Sequence, residues 1–143
     1  MNDRVSAPDL NGDLIRGLLD TAVAAAARMG VAVSIAVVDT GGHLAGFLRM
    51  EGVHTATVDV AQAKARSAAA FRRPTRVFAQ QLAEGNSTLL AVPGCVPLFG
   101  GVPLVRSNRM VGAIGISGAS PDDDDAIANT IYDQFHKTFS LDI

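Results

Sequence analysis

The sequence predicts an α+β domain. Two strand-turn-strand units carry this reading: Val31 to Asp39 with His43 to Met50 around Thr40-Gly41-Gly42, and Val102 to Arg106 with Met110 to Ser117 around Ser107-Asn108-Arg109. Around them run segments whose apolar residues recur at three- and four-residue spacing, as expected of helices with one packed face. A sheet of four or five mostly antiparallel strands with helices packed against it follows, as one domain over residues 1–143.

Residues 1–8 read as a loose arm. Asp9 is placed to cap a helix in which Leu10, Leu14, Leu18, Ala22, Ala25 and Met29 form one apolar stripe, and Gly30 is the expected stop. The alanines from Ala24 to Ala27 are small enough to let a neighbouring element come close. In the second strand, strict alternation puts His43, Ala45, Phe47 and Arg49 on one face and Leu44, Gly46, Leu48 and Met50 on the core face. Gly46 inside that strand predicts a bulge or a close approach to the backbone.

Glu51-Gly52 turns the chain into a helix from about Thr55 to Arg73, ended by Pro74. Asp59, Ala63, Arg66, Ala70 and Arg73 make its solvated stripe, and Thr57, Ala61, Lys64, Ala68 and Phe71 lie opposite. Lys64 is therefore a cation on a face that should be packed, and a buried ammonium needs a partner. Either it pairs with Glu51 or Asp39, or snorkels to the edge, or it faces a pocket and meets an anionic ligand. Arg49 and Glu51 are an ion pair or the rim of the same pocket.

Thr75 to Glu84 reads as a short helix, with Thr75 as N-cap and Gly85 as stop. The Gly- and Pro-rich run from Asn86 to Leu104 is a folded loop with a short extended piece, of the kind that often lines sites; Gly100 and Gly101 join the ligand-binding candidates on that ground. Cys95 is a small buried hydrophobe or a nucleophile whose activating base the neighbouring sequence does not identify. Glycines 112, 115 and 118 lie within a strand, not in the strand-to-helix turn that dinucleotide binding requires. Ser120-Pro121 and the acids Asp122 to Asp125 form a helix start, with negative charge at the positive end of the macrodipole. Four consecutive acids point in different directions and cannot converge on one metal ion. Ile127, Ile131, Phe135 and Phe139 give the last helix its apolar stripe, with His136 beside it.

Composition excludes several functions. Twelve Lys and Arg against 14 Asp and Glu leave no positive excess for nucleic acid. The N-terminal ten residues carry no apolar leader core, and no run reaches membrane-spanning length, so neither secretion nor insertion is expected. The single cysteine fits a reducing cytoplasm. Three histidines without ligand spacing predict no metal site.

The segments VSIAVVDTGGHLAGFLRMEGV, AQAKARSAAAF with the following PT, and GGVPLVRSNRMVGAIGISG before an acidic helix start together resemble the GlcG/HbpS-like family, related to the C-terminal domain of PduO-type proteins. The resemblance spans roughly residues 10 to 130. This chain has Glu51, Val53 and Ser67 where the family usually has Asp, Ala and Thr. The resemblance implies an antiparallel sheet of about five strands in a profilin-like or PAS-like arrangement, homo-oligomers built from dimers, haem as a possible cofactor and, for some members, a place in catabolic gene neighbourhoods. On this basis the first expectation is a protein binding a small, anionic molecule, haem or a related tetrapyrrole, with Arg49 and Lys64 on propionates and His54 or His43 on iron. The absence of Trp, with one Tyr and six Phe, supplies few aromatic walls. The alternative is a cofactor-independent isomerase, tautomerase or hydrolase acting on a small carboxylate. There Arg49 would hold the carboxylate, Glu51 or His54 would move a proton, and Lys64 would stabilise developing charge. A purely structural or partner-binding role is the third reading.

Overall fold

The computed structural model describes the backbone of residues 10–141 and the side chains of residues 10–135. The expected arm at 1–8, the Asp9 cap and the side chains of His136 and Phe139 lie outside these. Helix α1 (Gly12–Met29) is capped by Asn11, whose side-chain oxygen accepts from the Leu14 amide at 2.8 Å. It ends at Gly30, whose φ of 72° is the left-handed conformation that glycine adopts without steric cost. Met29 is 39% exposed and so falls off the packed stripe assigned to it.

Strands β1 (Ser34–Val38), β2 (Leu44–Arg49), β3 (Gly101–Arg106) and β4 (Arg109–Ser117) form one sheet in the order β2-β1-β4-β3, every pair antiparallel. Among the described residues the sheet therefore has four strands, within the four or five read from the residues and one fewer than the resemblance implies. Side chains alternate across it. Ile35 and Val37 of β1, with Leu104, Ile114 and Ile116, meet α1 and the last helix, α4 (Pro121–Leu141), while Ala36, Val38 and Ala113 face helix α2 (Ala56–Phe71). The α2 layer is built from small residues, Ala61, Ala65, Ala68 and Ala69, so the helix lies close on the sheet. At the closest point a Cβ on Gly115 would collide with the Ala61 carbonyl, which is why this strand carries glycine there.

Two local features depart from simple alternation. Val37 pairs with Gly46 but Val38 pairs with Leu44, so Ala45 is an extra, bulged residue. The bulge reverses the facing of residues before it, and Leu44 is 51% exposed rather than on the core face. Gly46 meets the other half of its expectation as well, since a Cβ there would strike Ile15 of α1. At the other hairpin Ser107 (φ 50°) and Asn108 (φ 61°) both adopt the left-handed conformation of a two-residue turn matched to strand twist.

Helix α2 ends in Arg72, also left-handed at φ 55°, before Pro74 opens helix α3 (Thr75–Ala83). Thr75 is not the N-cap expected of it. Pro74 takes that place, and the buried Thr75 hydroxyl instead accepts from the Gly101 amide at 2.9 Å, tying α3 to the start of β3. The following loop contains a short 3-10 helix (Ser87–Ala91), which its sequence did not announce, and the extended piece expected in this stretch is the start of β3; the Val96 amide donates to Ser67 Oγ at 3.1 Å. Ser120 Oγ accepts from the Asp123 amide at 3.2 Å at the start of α4, as its sequence predicts.

Candidate functional site

The antiparallel register gives the sheet two ends. At one end Ser34 lies between Arg49 and Ser117, and at the other Val38 lies between Leu44 and Ala113. This divides the candidate residues. Arg49, Glu51 and His54 are exposed at the first end, whereas His43 stands at the second, in the β1–β2 turn. Among the described residues no ion pair joins Arg49 to Glu51.

Lys64 is buried, as its helix face predicts, but its partner is neither Glu51 nor Asp39. Its ammonium donates to the Ile116 carbonyl at 2.7 Å and to Asp124 Oδ2 at 3.3 Å, and both charged side chains are only 5% exposed. The other Asp124 oxygen accepts from the Ala119 amide at 2.9 Å. Burial pulls Lys64 below the usual lysine range, opposed by the Asp124 charge. Burial likewise lifts Asp124 above the usual carboxylate range, opposed by the Ala119 amide and by Lys64. Next to it, Asp125 is raised by burial and held by Arg76 at 3.7 Å and by the Asn129 amide at 3.2 Å. Two of the four helix-start acids thus have specific side-chain partners that a dipole argument alone does not reveal.

Gly100 and Gly101 are buried beneath α2. A Cβ on Gly100 would lie 3.1 Å from Lys64 Nζ, and one on Gly101 would lie 2.6 Å from the Lys64 carbonyl. Their role in the fold is to let Lys64 and its helix approach β3 and β4. Cys95 is partly buried, and desolvation pushes its thiol up, away from the reactive thiolate.

At the β1–β2 turn the chemistry is more open. Asp39 Oδ1 accepts from the Gly41 and His43 amides, each at 2.9 Å, and lies 3.3 Å from His43 Nδ1. The His43 amide contributes most to holding the Asp39 carboxyl below its usual range. The imidazole is 82% exposed and lines a depression of about 530 Å³ with Leu10, Thr40, Ala45 and Val111. An exposed imidazole whose Nδ1 lies against a carboxylate has the second-shell support common to metal-ligating histidines. A second depression, of about 350 Å³, is lined by Thr40, Arg72, Asn108 and Arg109. Sequence reasoning placed Arg72 and Arg109 only within a helix end and a turn. Neither position carries a local signal, because the residues meet only when the two hairpin ends and the end of α2 are brought together.

A family model described as haem degrading protein HbpS-like matches residues 10–132. The chain belongs to the HbpS-like family. Protein GlcG of Escherichia coli (strain K12) is 39% identical over 85 residues, 59% of this chain; the match spans 63% of the length of that curated relative. A double mutant of HbpS from Streptomyces reticuli is 32% identical, with a TM-score of 0.79 over 90% of this chain and 88% of that one. The structure of a PduOC:heme complex is 26% identical, with a TM-score of 0.79 over 88% of this chain and 94% of that one. HbpS-like membership thus agrees with the resemblance and with an antiparallel α+β fold. Among the described residues no helix is long and apolar enough to cross a membrane, and no group of three or more His, Cys, Asp or Glu is placed to hold a metal ion by itself.

Proposed function

We propose that this HbpS-like chain binds haem or a closely related tetrapyrrole. The observation that carries the reading is its likeness, over most of both chains, to the protein of a haem complex, together with a family description centred on haem. Binding is the step that a haem-degrading and a haem-holding protein have in common. The donor chemistry at the β1–β2 turn supports it: the His43 imidazole is exposed, has Asp39 against its Nδ1 and lines the adjoining depression. Haem, when bound, supplies the iron and any redox chemistry; the chain supplies the imidazole, its orientation and the polar surroundings. His54, exposed at the opposite end of the sheet, is the competing candidate from the sequence. Arg49 and Glu51 share that end, so a ligand on His54 would be met by them.

The small-carboxylate enzyme reading centred on Lys64 draws no support from a lysine whose ammonium is engaged by Ile116 and Asp124. An absorbance titration with haemin tests the proposal in wild type, His43→Ala and His54→Ala. Saturation at a defined stoichiometry with a shifted Soret band, lost in His43→Ala and retained in His54→Ala, is expected. Non-saturating binding that is identical in all three proteins would remove it.

A homo-oligomer built from dimers belongs to the same proposal. It is supported by the apolar side chains that the loop after α3 leaves in water, with Leu90 69% and Leu98 47% exposed. Light scattering on the purified protein should give the mass of a dimer or a multiple of it, and a monomer at micromolar concentration would contradict this part.

A further inference from the structure

Strand β3 lies at the edge of the sheet, and its outer side is poorly suited to pairing with another strand. The Thr75 hydroxyl takes the Gly101 amide at 2.9 Å, and Pro103 has no amide hydrogen to offer. What stands along this edge is a cleft of about 310 Å³, near the lower end of small-molecule sites, with Val102, Pro103 and Val105 as its apolar wall. Arg72 and Arg76 line it from the junction of α2 and α3, and Asn129 and Tyr132 line it from α4. The two sides are joined directly. Arg76 Nη1 donates to Asn129 Oδ1 at 3.4 Å and lies 3.7 Å from Asp125 Oδ2.

Charge decides the kind of ligand. Asn129 in turn donates to Asp125 Oδ2 at 3.2 Å, so the Arg76 guanidinium, with its side chain only 35% exposed, is braced by two side chains of α4. Arg72 is exposed and forms no ion pair among the described residues. No carboxylate lines the cleft. Two guanidinium groups against the one Asp125 carboxylate behind them leave a single positive charge, which matches a single carboxylate on a ligand. Guanidinium groups receive such a group by paired, charge-assisted hydrogen bonds. The half-buried Tyr132 ring and the valine and proline wall call for an apolar body attached to it.

We propose that this cleft binds a small monocarboxylate with an aromatic or branched apolar body, its carboxylate between Arg72 and Arg76 and its body against Tyr132, Pro103 and Val105. The cleft shares no lining residue with the His43 depression, so the proposal stands or falls independently of haem.

Benzoate is the probe, titrated into the full chain and followed by two-dimensional amide NMR, which locates a site and reads millimolar affinities. The expected result is saturating shifts that include Val105, Asn129 and Tyr132. Benzamide, which lacks the charge, and acetate, which lacks the ring, should each bind about tenfold or more weakly. Arg72→Gln should weaken benzoate by about tenfold and leave benzamide unmoved. Arg76→Gln alone strands Asp125, so the second guanidinium is tested in Arg76→Gln with Asp125→Asn, where a loss of the same order is expected. Arg28→Gln on α1 removes one positive charge elsewhere and should change nothing. Benzoate that does not saturate, or that saturates with shifts away from this cleft, overturns the proposal. So does benzoate binding that neither arginine substitution weakens. Benzamide binding as tightly as benzoate overturns the carboxylate assignment, and acetate or inorganic phosphate binding as tightly overturns the apolar body.

Discussion

Lys64 is the residue whose environment is most demanding. A lysine and an aspartate that are both 5% exposed have given up most of their hydration, and they persist because the Ile116 carbonyl and the Ala119 amide satisfy atoms that the pair itself leaves over. Removing one partner strands the other charge. Lys64→Met is expected to lower stability by about 3–5 kcal/mol, the usual cost of an uncompensated buried carboxylate. Adding Asp124→Asn keeps the acceptor for the Ala119 amide while removing the stranded charge, so the double variant should recover part of the loss in denaturant unfolding. A double variant as unstable as the sum of the two single ones would mean that the pair is not energetically coupled. The burial of Lys64 was legible, since its position among Thr57, Ala61 and Ala68 identifies a packed face. Its partner was not, because Asp124 lies 60 residues away in a run of four acids that all serve the helix start equally well on sequence grounds.

At the scale of elements, the contact between α2 and the sheet sets the geometry of everything else. Small residues on both sides let the helix backbone approach the strands, and Gly115 is the point of least clearance. Gly115→Ala is therefore expected to destabilise the protein by about 1–3 kcal/mol through overpacking, although alanine is otherwise a conservative change. Thermal unfolding of this variant against Gly118→Ala would not be a clean comparison, because Gly118 has φ 145°. Gly17→Ala is the better control: it lies in α1 with open space at its Cβ, and it should be neutral or slightly stabilising. If Gly115→Ala were equally neutral, the close approach of α2 would not be a constraint. The two hairpins and the helices were legible from turn chemistry and periodicity, Thr40-Gly41-Gly42 and Ser107-Asn108-Arg109 above all. The bulge at Ala45 was only partly so. Gly46 signalled an irregularity, but nothing local stated that Leu44 would turn outward.

For the molecule as a whole, the antiparallel register decides which candidates can act together. Arg49, Glu51 and His54 are neighbours in sequence and share one end of the sheet, while His43, only six residues before Arg49, is carried to the other end by the length of β2. There it lines one depression with Leu10, Thr40 and Val111, while Arg72 and Arg109, from the end of α2 and the start of β4, line another that shares only Thr40 with it. A sequence places residues in segments; only the topology gathers segment ends, so this grouping had no local signal. Family membership was legible because its motifs are distributed along the chain and need only be compared, not assembled. The account stands most directly on whether His43 is the residue that meets the ligand. The decisive measurement is the Soret spectrum of the haemin complex at saturating protein, recorded for wild type and for His43→Ala with and without added imidazole. A shifted band in wild type that is lost in the variant and restored by imidazole is the predicted result. The same band in both proteins without imidazole would place the ligand elsewhere and contradict the site described here.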